Sequence, residues 1–109
     1  LGKTMTPMND IMEFARRIAE EFSPDRIILF GSHAYGAPGP DSDVDILVVL
    51  PFEGKNFRMS MNILSRVSPP FMVDIIARRP DDTLMRYKYG DPLILEALDH
   101  GRVLYESGR

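Results

Sequence analysis

The sequence predicts a layered α/β or α+β domain in which a small mixed β-sheet is flanked by helices. Two kinds of segment carry that expectation. Apolar residues recur at helical spacing in several stretches, while other stretches are short apolar runs closed by Gly or Pro. The two kinds alternate along 109 residues as α-β-α-β-α-β-α-α-(β), which suits one sheet with helices packed on it.

Thr6-Pro7 with Asn9-Asp10 signals a helix start. Ile11, Phe14, Ile18 and Phe22 then give it an apolar stripe, and Ser23-Pro24 ends it. Residues 26–30 (Arg-Ile-Ile-Leu-Phe) form the first strand, which Gly31-Ser32 breaks. His33-Ala34-Tyr35 is one helical turn, and residues 36–42 are a loop by composition. The second strand spans 44–50 and stops at Pro51. Residues 55–67 read as an amphipathic helix with Phe57, Met61, Leu64 and Val67 on its apolar face. Pro69-Pro70 closes it ahead of a third strand, 71–77. Pro80-Asp81-Asp82 opens a helix through Tyr89, and Asp91-Pro92 opens the last, with Gly101 expected as its C′ residue. Residues 103–105 form a final short strand.

This length holds a single domain, expected over residues 6–106. Residues 1–5 are expected to be either a cloning remnant or a disordered start, with Met5 or Met8 as the natural first residue. A net charge of −3 argues against a broad nucleic-acid-binding surface. The absence of cysteine excludes disulfides and thiolate metal sites. No apolar run is long enough to span a membrane and no signal-peptide pattern opens the chain, so a cytoplasmic location is expected.

The chemistry concentrates in Gly31-Ser32, a ten-residue spacer, and Asp43-Val44-Asp45. Strands disfavour Asp. Two of them at i and i+2 share a face and repel unless a cation bridges them. A Gly-Ser turn beside the pair offers backbone N–H groups and a hydroxyl to phosphate oxygens. Together they point to chemistry on a nucleoside triphosphate. A loop turn would explain Asp43 but not Asp45, and Ser32 could equally cap the turn that follows it. Asp74, taken alone, fits a solvated edge strand or a pair with Arg78. If its strand lies beside the second one, three carboxylates converge, and two Mg²⁺ ions about 4 Å apart would neutralise them. Asp41 reads as a solvated loop residue, His33 as a turn residue, His100 as a helix-end residue, and Arg78 and Arg79 as a solvated pair. Tyr35, Tyr87, Tyr89 and Tyr105 read as packing residues, with self-modification as the alternative.

This ordered set resembles the minimal nucleotidyltransferases of the DNA polymerase β superfamily, with Gly-Ser, Asp-x-Asp and the later strand Asp all unsubstituted. The tail Glu96-Ala97-Leu98, Gly101, Val103-Leu104-Tyr105 is similar too, so the resemblance runs from about residue 9 to 106. It implies the polymerase β-like fold, with Asp43, Asp45 and Asp74 as catalytic, metal-holding residues for two Mg²⁺ ions. Gly31 and Ser32 would bind the nucleotide. It further implies transfer of AMP from ATP to a tyrosine of a small all-helical HEPN ribonuclease, this chain acting as the antitoxin of a toxin–antitoxin pair. Competing readings are a non-catalytic nucleotide-binding antitoxin that neutralises its partner by stoichiometric contact, a sugar-nucleotide transferase, and a nucleic-acid acceptor opposed by the net charge. Self-association is left open: exposed apolar residues within 57–67 or 84–98 would mark a partner surface, although core burial explains most of them.

Overall fold

The structure, a computed structural model, describes residues 6–36, 38–39 and 42–108. Asp41 and residues 1–5 lie outside the described residues. Along the chain run α1 (Met8–Phe22), β1 (Arg26–Phe30), α2 (Ser32–Tyr35), β2 (Val44–Val49), α3 (Asn56–Arg66), β3 (Val73–Arg78), α4 (Pro80–Lys88), α5 (Pro92–His100) and β4 (Arg102–Glu106). The predicted order of elements is the observed one, with ends shifted by a residue or two. Among the described residues, no helix is long and apolar enough to cross a membrane.

The four strands lie in the order β3-β2-β1-β4. β1 runs antiparallel to both β2 and β4, whereas β2 and β3 are parallel, so the sheet is mixed. A parallel pair needs a crossover, and α3 supplies it.

Side chains alternate between the faces of the sheet. Ile27, Leu29, Val44, Ile46, Val48 and Ala77 pack with Ile11, Phe14 and Ile18 of α1 and Ile63 of α3. Ile28, Phe30, Leu47 and Val49 pack on the opposite face beneath Ile94 and Ala97 of α5. By the same alternation Asp45 falls on the α5 face with Leu47 and Val49, and Asp74 falls there with Ile76. The candidate carboxylates therefore stand on the more thinly covered face.

Three expectations need correction. On α3 the buried residues are Ser60 and Ile63, followed by Val67 at the C-cap. Phe57 and Met61 are 75% and 47% exposed. The apolar stripe is wider than the face the sheet can cover, and the helix is rolled so that the Ser60 hydroxyl accepts a hydrogen bond from Ala77 N–H at 3.1 Å.

Gly101 is the C-cap of α5 rather than the C′ residue beyond it, with extended backbone at φ −76° and ψ 172°. Its necessity is steric: a Cβ there would lie 2.2 Å from the Ala97 carbonyl oxygen and 2.8 Å from that of Leu29.

Arg79 is not a solvated partner of Arg78. Its guanidinium donates to the carbonyls of Phe52 (2.8 Å) and Gly54 and to Asn56 Oδ1 (3.3 Å). It also stacks 4.3 Å from the Phe52 ring centroid. Arg79 thus clamps the β2–α3 loop.

Candidate active site

β2 and β3 pair in register with Asp45 opposite Asp74. Directly opposed residues on neighbouring parallel strands project to the same face, so the two carboxylates share one place at the start of both strands. Asp43, exposed, precedes β2 by one residue and has the same parity as Asp45. The antiparallel ladder pairs Phe30 with Asp45, which brings the turn after β1 against the same carboxylate.

Gly31 opens that turn under two independent constraints. Its φ of +76° lies in the region that side chains disfavour. A Cβ on it would sit 2.3 Å from Asp45 Oδ2. The sequence suggests a glycine that lets phosphate approach; in the structure the close neighbour is the Asp45 carboxylate.

Gly31 is also the N-cap of α2, with its carbonyl accepting from Ala34 N–H at 3.0 Å. Ser32 is the first residue of that turn, so the cap position that the sequence offered it is taken by Gly31.

Burial pushes the Asp45 carboxyl above its ordinary value, and the neighbouring Asp74, Asp43 and Glu96 carboxylates push it further, while His33 pulls it down. Three further acids therefore act on Asp45 at this end of the sheet. Among the described residues no three or more His, Asp or Glu side chains form a metal-holding group as they stand. The ladder brings the carboxylates together and repulsion opposes their closing on one point. An all-oxygen donor set of this kind suits a hard divalent cation such as Mg²⁺, and a cation would remove the repulsion that now raises Asp45.

Sequence reasoning missed Glu96 and the role of Tyr35. Partial desolvation and then the adjacent Glu96 carboxylate raise the Tyr35 phenol, which also feels Asp45. Nothing in the spacing around Glu96 signals this, because α5 reaches the site only by packing on β1. Both ring nitrogens of His33 are buried without a hydrogen-bond partner in the structure. Arg78 donates to the Ala77 carbonyl at 2.9 Å, and its Nε is buried with no partner.

The family model described as "Nucleotidyltransferase domain" matches residues 11–104. No curated protein matches the sequence. Among solved structures, the chain is similar to a Sulfolobus solfataricus protein provisionally called a nucleotidyltransferase, with TM-score 0.63, 21% identity, and coverage of 91% of this chain and 79% of that one. It is also similar to a toxin–antitoxin structure with AMP-PNP, with TM-score 0.56, 20% identity, and coverage of 94% and 76%. A third similar structure is a mutant of the toxin–antitoxin MntA-HpeT, with TM-score 0.54, 18% identity, and coverage of 94% and 76%. At these identities the structures speak to the fold alone, and the family match spans nearly every element that builds the site. The chain belongs to the nucleotidyltransferase-domain family, as the spacing of Gly31-Ser32 and Asp43-x-Asp45 implied.

Proposed function

We propose that this protein is a Mg²⁺-dependent nucleotidyltransferase that moves AMP from ATP to a hydroxyl, the acceptor being a tyrosine of a small helical HEPN ribonuclease that it silences as antitoxin. The observation that carries the reading is the register of Asp45 opposite Asp74, with Gly31 pressed against the Asp45 carboxylate. Asp43 and Asp45 would hold the ion that accompanies the triphosphate, and Asp74 would complete a second site with them. When bound, Mg²⁺ supplies positive charge against the charge that develops on the transferring phosphoryl group.

The chain's own residues do the rest. Gly31 keeps the backbone low beside Asp45, and the Ser32 hydroxyl, at the start of α2, donates to β- or γ-phosphate oxygen. Asp74, exposed at the edge strand, accepts the proton of the attacking hydroxyl. The acceptor oxygen bonds to the α-phosphorus, the bond from that phosphorus to the bridging oxygen breaks, and pyrophosphate leaves. An AMP group on the toxin's hydroxyl places a bulky anion where RNA phosphate would sit. The toxin–antitoxin complexes among the similar folds, one of them with AMP-PNP, support this partner class.

The test is intact mass spectrometry after incubation with ATP and Mg²⁺, alone and with the protein encoded by the neighbouring gene. AMP-sized mass gains on that protein, abolished by Asp43→Asn with Asp45→Asn, are expected. No gain on either protein, with a tight complex intact, would replace transfer by stoichiometric neutralisation.

A further inference from the structure

α3 and the outer edge of β3 enclose a groove of about 370 Å³ whose lining includes Phe57, Met61, Ile75, Arg78 and Asp74. β3 is an edge strand. The Met72 and Arg78 carbonyls accept from Val44 and Leu50 of the β2 segment, whereas Ala77 N–H turns outward to Ser60. The backbone groups of Val73 and Ile75 share the outward parity of Ala77, and among the described residues no strand pairs on that outer side. Open edge groups of this kind template an added strand.

The groove's apolar side chains are exposed beyond what core packing explains. Phe57 is 75% exposed and Met61, one turn further along α3, is 47% exposed. Asp74 and Arg78 are the charged residues that line the groove, and further basic residues stand in the same stretch of chain. From 53 to 79 the chain carries Lys55, Arg58, Arg66, Arg78 and Arg79 against Glu53 and Asp74, although the whole protein is net −3. Arg66 is paired with Glu21, and Arg79 is engaged by the β2–α3 loop. Lys55 and Arg58 are exposed and form no ion pair among the described residues, and Arg78 keeps an unpartnered Nε. Lys55 and Arg58 belong to the start of α3, which Arg79 ties to the end of β3 through Gly54 and Asn56, while Asp74 stands at the other end of that strand.

We propose that this groove docks the acceptor protein through an extended, apolar segment that pairs with the open edge of β3 at Val73 and Ile75 and carries acidic residues toward Lys55, Arg58 and Arg78. The proposal rests on the protein-acceptor reading above and specifies its surface. Ser60 and Arg78 occupy the edge at Ala77, so strand pairing stops there and apolar contacts with Phe57 and Met61 continue it. Asp74 and Arg78 are four residues apart, about 13 Å along a strand. The acceptor hydroxyl therefore sits at the Asp74 end, with the acidic residues about four positions away along its segment.

The experiment measures binding of the neighbouring-gene protein to the full chain by titration calorimetry, with AMP transfer read in parallel by mass spectrometry. Phe57→Asp with Met61→Asp, and separately Lys55→Glu with Arg58→Glu, are each expected to weaken binding at least tenfold. Because these residues are exposed, folding is retained, which thermal melting checks. Val103→Asp on the opposite edge strand is expected to leave binding and transfer unchanged. Failure of the wild-type chain to bind, or binding that survives both groove variants, overturns the proposal. So does a loss confined to single-stranded RNA binding, which would assign the groove to nucleic acid. Weakened binding by both groove variants, with no AMP transfer by the wild-type chain, would keep the dock and remove the transferase reading instead.

Discussion

At one edge of the sheet β4 and α1 enclose a groove of about 650 Å³, lined by Met12, Leu104 and Tyr105 among others. At the other edge the β3–α3 groove is smaller, about 370 Å³. The larger one lies at the edge opposite β3 and Asp74. Its charged residues are satisfied among themselves: Arg16 bonds Glu13 and Glu20 at 2.5 Å, one helical turn either way. Such exposed pairs add little stability, but they leave no charge seeking a partner. At the β3 edge the reverse holds, with Asp74 facing Asp45 across the ladder and Arg78 Nε unpartnered. Unmatched charge, and not cavity size, marks the candidate site.

The strongest way to break this contrast is Asp74→Asn. It removes the proposed proton acceptor, and transfer is expected to fall about 10²–10⁴-fold in steady-state assays. A loss below tenfold would leave β3 no more catalytic than β4.

Gly31→Ala comes next. The Cβ 2.3 Å from Asp45 Oδ2 displaces the carboxylate, and the left-handed φ adds strain of about 1–3 kcal/mol. Gly54→Ala is the matched control, because its φ is +90° but nothing lies within 4 Å of the new methyl. Both should lower the denaturation midpoint, and only Gly31→Ala should lower transfer.

Ser60→Ala tests how the β3 edge is held. Ala77 N–H loses its acceptor, and urea denaturation should show a loss of about 1 kcal/mol.

The subtlest contrast concerns pH in metal-free buffer. Burial and neighbouring acids raise Asp45 above its ordinary 3.8 in the folded protein, so the native state binds this proton more tightly than the unfolded chain does. Stability therefore declines as pH rises from that ordinary value through the raised one. Asp45→Asn removes the penalty. Its melting temperature should exceed that of the wild type at neutral pH, the difference should vanish below the ordinary carboxylate range, and added Mg²⁺ should stabilise only the wild type.

The sequence alone determined the order of the elements, because apolar periodicity and the Gly and Pro breaks are local properties of the chain. It also determined the candidate site at Gly31, Ser32, Asp43, Asp45 and Asp74, since acids inside strands stand out against strand propensity. Tertiary structure decided which side of each helix is buried. Phe57 and Ile63 look alike in sequence, and only the position of α3 over the sheet exposes one and buries the other. It decided the reasons for two glycines as well: Gly31 is pressed by Asp45 and Gly101 by the Ala97 and Leu29 carbonyls, contacts between segments far apart in the chain. Arg79 as a loop clamp and Glu96 as a fourth acid at the site belong to the same class. Their roles come from neighbours that packing supplies, which no local pattern encodes.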